Sequence, residues 1–233
     1  MKSNIKIKDI LKNKINLIFI PIIFSQIYFL QGSIGIVKEP VNIYISGLYT
    51  MYERALFVIV FLLINYLIIC EFDKNMIILR YKSSELWVKD IYEKIIKKTV
   101  KTILILNSFP LIFAISQSNL TTKDCAILIM YVVNQIASFS ILVYIYILVF
   151  ALTHNKIYVF WGIFISLYLP KILLDFFKNG YITPINMIFL NPNISIGNML
   201  LQTNIIVVIC GITVYLIQNN FLKDKYKDII WRF

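Results

Sequence analysis

Three polar side chains, Tyr131, Asn134 and Ser138, interrupt one of the longest apolar stretches of the chain at i, i+3 and i+7. This spacing places them on one face of a predicted helix. Hydroxyl and amide groups on such a face either hydrogen-bond to a neighbouring helix or line a path for a solute, and the sequence leaves both interpretations open. Because no acidic and basic side chains accompany them, the face does not predict a proton or sodium relay.

The sequence lacks the patterns of common catalytic and nucleotide-binding sites. It contains no G-x-x-x-x-G-K-[ST] loop, no H-E-x-x-H and no G-x-S-x-G. Its one histidine, His154, and its three cysteines (Cys70, Cys125 and Cys210) are scattered singly, which predicts neither a metal site nor a disulfide framework. We therefore expect no enzymatic activity and no bound cofactor in this chain.

A second set of chemistry-bearing residues lies in the charged segment 71–101, between two apolar runs. Ser84 has a side chain of the kind preferred at helix N-caps. Three acid-to-base pairs at i, i+4 follow it in the order that stabilises a helix: Glu85–Lys89, Asp90–Lys94 and Glu93–Lys97. The segment therefore predicts a helix that begins near Ser84 and leads into the next apolar run.

The same predicted helix carries an apolar stripe, because Trp87, Ile91 and Ile95 recur at every fourth position. We expect Leu86 and Trp87 to be exposed beside the charges and to form a docking surface for another protein. The alternative is that Trp87 lies in the aromatic belt at the membrane surface.

The elements that position these residues are apolar runs too long for a soluble protein. Of the 233 residues, 59% are hydrophobic and 15% charged, and the mean hydropathy is +0.78. Because about 20 apolar residues in a helix cross the hydrocarbon core, we expect an all-α, polytopic membrane protein with six transmembrane helices. The six runs are 15–30, 55–70, 103–115, 126–152, 157–169 and 205–221.

The basic residues are distributed unevenly between the two predicted sides of the membrane. Eighteen of the 23 Lys and Arg residues fall in the N-terminal segment, the second and fourth connections and the C-terminal tail, and five fall on the other side. Because basic residues concentrate in cytoplasmic loops, we expect a multi-pass protein of the cell membrane with both termini cytoplasmic. The same rule explains the net charge of +11, so we expect no nucleic-acid partner.

Two further segments of this single transmembrane domain, residues 1–233, are expected at the membrane surface. Residues 1–14 place their apolar side chains on one face, which predicts an amphipathic interfacial helix, with a disordered basic tail as the alternative. Residues 171–203 are hydrophobic but are divided by proline and glycine into pieces too short to span, which predicts extracellular re-entrant helices.

This layout, with Glu71 at the end of the second run and Ser83-Ser84 before the charged helix, resembles the permease subunit of ABC-2-type, type V exporter-like ABC transporters. The resemblance implies a cytoplasmic coupling helix between spans two and three that seats in a groove of a separate ATPase subunit. That partner binds the ATP and Mg²⁺. The residues that the resemblance assigns to this contact are Glu71, Ser83, Ser84, Glu85, Leu86 and Trp87.

The resemblance also implies a second permease chain, identical or different, because six spans form half of a translocation pathway in this family. The pathway, bordered by membrane lipid, exports an amphipathic substrate such as an antimicrobial peptide or a lipid-like molecule. A composition rich in Ile, Lys, Asn and Tyr is typical of a low-GC bacterium. The alternative from another class is a non-transporting membrane immunity or scaffold protein that binds a membrane-active ligand.

Overall fold

A computed structural model of the chain is almost entirely helical in the part that it describes. The helices are α1 (Pro40–Ser46), α2 (Met51–Phe72), α3 (Ser84–Gln117), α4 (Thr122–Thr153), α5 (Lys156–Phe176) and α6 (Ile196–Asn219). The residues that the structure describes are 23–24, 26–28, 30, 39–46, 51–72, 84–117, 120–153, 155–176, 184, 188–189 and 196–219. For these residues the expected all-α class is confirmed.

Three of these helices are long and apolar enough to cross a membrane, which indicates a membrane protein. The segments are Arg54–Glu71 of α2, Lys89–Ser116 of α3 and Thr122–Phe150 of α4. The apolar segments Lys156–Pro170 of α5 and Gly197–Thr213 of α6 are helical but shorter. The predicted first span, 15–30, lies largely outside the described residues and the predicted interfacial helix, 1–14, lies wholly outside them, so six spans stay a prediction.

Local hydrogen bonds explain where α4 and α5 begin. The backbone N–H of Asp124 donates to Oγ1 of Thr121 (3.2 Å), and the N–H of Thr121 donates to Oδ2 of Asp124 (3.1 Å), which is a capping box. Asn155 caps α5, because its Oδ1 accepts from the N–H groups of Ile157 and Tyr158 at 3.1 and 3.2 Å. These side chains satisfy donors that a helix N-terminus otherwise leaves without partners.

The helices contribute to two compact units, and the boundaries fall within α2, α3 and α4. The first unit comprises Met1–Val60 and Leu104–Leu128, and the second comprises Phe61–Ile103 and Ile129–Phe233. In the second unit, the ring of Phe139 lies 4.7 Å from that of Phe61 and 6.3 Å from that of Phe189, between centroids. These three buried rings form an aromatic cluster around the middle of α4, where Phe139 lies.

In the first unit, a proline within α3 deprives one backbone carbonyl of its helical donor. Pro110 has no N–H, so the carbonyl of Leu106 cannot accept the usual i→i−4 hydrogen bond. The fully buried side chain of Gln26 donates from Nε2 to this carbonyl over 3.1 Å. Beside it, the buried hydroxyl of Tyr44 donates to Oδ1 of Asn107. The side chain of Gln26, distant in sequence, thus replaces the missing bond, as a water-free environment requires.

We predict that Gln26→Met lowers the free energy of unfolding by about 1–2 kcal/mol, because it preserves volume but leaves the buried carbonyl of Leu106 without a donor. In a Pro110→Ala background, which supplies an N–H at position 110, we expect the same substitution to cost less than about 0.5 kcal/mol. Unfolding of the purified chain in mixed detergent micelles measures both values.

The matched control is Pro170→Ala, which replaces a proline inside α5. The cost of Gln26→Met stays at its full value in this background. If the Pro110→Ala and Pro170→Ala backgrounds give the same cost, Gln26 does not compensate for Pro110.

Candidate functional site

An ion pair joins the predicted coupling segment to the end of the preceding helix. The Nζ atom of Lys94, in α3, lies 3.1 Å from Oε2 of Glu71, in the last turn of α2. The side chains are 43% and 34% exposed, so the pair contributes little to stability, about 1 kcal/mol or less. Its effect is positional, because it holds the N-terminal part of α3 beside the end of α2.

The predicted helix and its charge pairs are in part observed. The prediction that a helix begins at Ser84 is confirmed, and Lys97 lies 3.5 Å from Glu93 as the i, i+4 spacing predicts. Lys94, expected to pair with Asp90, contacts Glu71.

Three of the predicted ATPase contacts fall on residues or side chains outside the described part of the chain. Ser83 lies outside the described residues, as do the side chains of Ser84 and Glu85, although both belong to α3. The Glu85–Lys89 pair therefore stays a prediction.

The two apolar side chains expected at the docking surface differ in exposure, and one expectation is wrong. Leu86 is 48% exposed, but Trp87 is only 2% exposed. Trp87 shares its buried stripe with Ile91 and Ile95. A repeat of large apolar residues at every fourth position marks the face that a helix buries, so Trp87 anchors α3 within the chain. Among the side chains that the structure describes at the start of α3, Leu86, Lys89 and Asp90 are exposed.

The predicted polar face of α4 exists, and all three of its side chains are buried. Tyr131, Asn134 and Ser138 are 4%, 0% and 7% exposed. Asn134 donates from Nδ2 to the backbone carbonyl of Ile188 over 2.9 Å, which is a packing role. For Oγ of Ser138, the described part of the chain provides no hydrogen-bond partner. Ser138 is therefore the member of the set whose hydroxyl group could hydrogen-bond to a solute.

The partner of Asn134 lies in the predicted re-entrant segment, residues 171–203. Within this segment α5 continues to Phe176 and α6 begins at Ile196. Ile188 is helical and Phe189 forms a bend, and the ring of Phe189 reaches that of Phe139 near the middle of α4. Backbone outside a long helix is tolerated at membrane depth only where protein groups satisfy it. The Asn134 bond supplies such a group for Ile188, and the re-entrant arrangement of residues 171–203 stays a prediction.

Two functional contacts were not predicted from the sequence. The first is the hydrogen bond from Gln26 to the carbonyl of Leu106. The sequence signal for it is Pro110, which has no N–H to bond to that carbonyl, so that another helix must supply the donor. The Glu71–Lys94 contact joins residues 23 positions apart, and no local spacing rule predicts it.

Comparisons with known proteins give no match that bears on the start of α3 or on the polar face of α4. No family model, curated protein or solved structure matches the chain. Among the described residues, no group of three or more His, Cys, Asp or Glu side chains is placed to hold a metal ion.

We predict that Asn134→Leu lowers the free energy of unfolding by about 1–2 kcal/mol, because the buried carbonyl of Ile188 then lacks this donor. Ser138→Ala serves as the matched control on the same face, since it removes a buried hydroxyl that has no described partner. We expect it to change stability by less than about 0.5 kcal/mol or to raise it. Equal losses in both variants, measured by unfolding in detergent micelles, would contradict the separate roles.

Proposed function

We propose that this chain is the permease subunit of an ATP-driven exporter of the ABC-2 type, powered by a separate ATPase subunit. The observation that carries the proposal is the build of α3. One helix of 34 residues begins with an exposed, charged part and ends with an apolar part able to cross a membrane. If a partner displaces the charged end of such a helix, the membrane-spanning part of the same helix moves with it.

The ion pair at the start of α3 extends this transmission to a second helix. Because Lys94 contacts Glu71 at the end of α2, a displacement of the charged part of α3 also moves the end of α2. Trp87, Ile91 and Ile95 support the same coupling from the buried side, since they pack the charged part of α3 into the protein. The ATPase thus acts on two membrane helices through one contact.

The docking surface that we propose differs from the predicted one in its central residue. Leu86 is the exposed apolar contact, and Lys89 and Asp90 provide charges of both signs beside it. An apolar centre with charged neighbours is typical of protein interfaces. Trp87 contributes by fixing the helix, and Glu71 by positioning it, while Ser83, Ser84 and Glu85 remain proposed contacts.

The transported substrate is proposed to be amphipathic, a membrane-active peptide or a lipid-like molecule, and a second permease chain completes the pathway. The buried polar face of α4 supports this class, because Ser138 adds hydrogen-bonding capacity to apolar surroundings. Tyr131 lies on the same face. Asn134 has the additional role of holding Ile188.

The docking proposal is tested by co-purification from membranes of the host. We predict that Leu86→Asp lowers the amount of ATPase subunit recovered with the tagged chain about tenfold or more, because it places a charge at the apolar centre of the contact. Lys123→Ala is the matched control, since it changes an exposed residue of α4 outside the proposed contact. Quantitative mass spectrometry of the eluates measures the ratio.

Two outcomes contradict the proposal. One is equal recovery of an ATPase with Leu86→Asp and with Lys123→Ala. The other is recovery of no ATPase with the unaltered chain while resistance to a membrane-active ligand persists, which is the result expected of a non-transporting immunity protein.

The positioning role of Glu71 and Lys94 is tested by exchanging their charges. We predict that Glu71→Lys impairs ATP-dependent export with less than about 1 kcal/mol lost in stability, because the pair is partly exposed. The double variant Glu71→Lys/Lys94→Glu restores the attraction and recovers export. Export by vesicles and unfolding in detergent are measured in parallel. A double variant no better than Glu71→Lys alone would show that the contact does not position α3.

A further inference from the structure

One exposed face of α3 is basic in the turns before the apolar part of the helix. Four exposed lysines share this face at i, i+3, i+4 and i+7: Lys94, Lys97, Lys98 and Lys101. The opposite face is buried through Tyr92, Thr99 and Ile103. The lysine face therefore points away from the protein.

The same face becomes apolar within one turn after Lys101. Its next exposed residues are Leu104 and Ile105, at 50% and 41%, and it continues through Ile112 and Ile115, at 65% and 54%. A long helix that exposes large aliphatic side chains in a membrane protein contacts lipid hydrocarbon. On this face of α3 the change from basic to aliphatic side chains therefore falls between Lys101 and Leu104.

The charge at this boundary is only partly neutralised by the chain itself. Lys94 pairs with Glu71, and Lys97 lies 3.5 Å from Glu93 with 79% of its side chain exposed. The described residues provide no ion pair for Lys101. A positive surface of this kind at the edge of the hydrocarbon attracts anionic headgroups.

We infer that Lys97, Lys98 and Lys101 bind the phosphate groups of anionic phospholipids. The dimensions fit, because the lysines cover about 6 Å along the helix axis and one headgroup layer is about 5–8 Å thick. Long lysine side chains reach the phosphates while their methylene groups lie along apolar surface. The site holds α3 at a defined depth in the membrane.

A lipid fits this position better than a protein partner. Lys101 lies about 22 Å along the helix axis from Leu86, at the centre of the proposed docking surface. A protein bound at Leu86 would have to extend into the headgroup layer to reach Lys101. The lipid site does not rest on the proposed export function, because it depends only on the build of α3 and on its membrane location.

Native mass spectrometry of the purified full chain in detergent micelles tests the site. The chain is titrated with phosphatidylglycerol and, separately, with phosphatidylcholine, which carries a phosphate but no net charge. We expect tighter binding of phosphatidylglycerol, and we expect Lys98→Gln/Lys101→Gln to weaken it by about fivefold for each lysine removed. Binding of phosphatidylcholine stays unchanged.

The matched control is Lys123→Gln/Lys156→Gln, which removes the same charge at the starts of α4 and α5. It leaves phosphatidylglycerol binding at the level of the unaltered chain. Equal weakening by both double variants, or by neither, overturns the lipid site. If Lys98→Gln/Lys101→Gln leaves lipid binding intact but prevents recovery of an ATPase, the lysines contact a protein. No ATPase takes part in the titration, so its result is separate from that of the export proposal.

Discussion

The need to satisfy every backbone carbonyl away from water governs this structure. Where α3 loses a hydrogen bond at Pro110, Gln26 donates to the carbonyl of Leu106. Where the chain bends after Ile188, Asn134 donates to its carbonyl. In each unit, a buried side-chain amide thus donates the hydrogen bond that water would donate to an exposed carbonyl in a soluble protein. At each of these two positions, the carbonyl that lacks a helical partner is bound by a side chain from a distant part of the sequence.

The long helix α3 combines three chemically distinct parts in one element. Its first turns expose Leu86 among charges, its middle exposes lysines at the predicted headgroup level, and its last turns expose aliphatic side chains. Because one helix carries all three, a contact made in water alters the position of side chains in lipid. This continuity supports the proposed role in coupling.

Periodicity predicted the elements well, and the contacts between them less well. The start of α3 at Ser84 and the buried face of Tyr131, Asn134 and Ser138 follow from local spacing. Trp87 shows the limit, because the same stripe that predicts a helix does not state whether it faces solvent or protein. The partner of Lys94 depends on how α2 and α3 meet, and no spacing within a single helix contains that information.

The most direct test of the account is the side of the membrane on which the charged start of α3 lies. A membrane-impermeant maleimide is applied to cells that carry either Leu86→Cys in a cysteine-free chain or a chain retaining Cys125, which is exposed at the opposite predicted side. If the charged start of α3 is cytoplasmic, Cys125 is labelled in intact cells and position 86 only after permeabilisation. Labelling of position 86 in intact cells would contradict it.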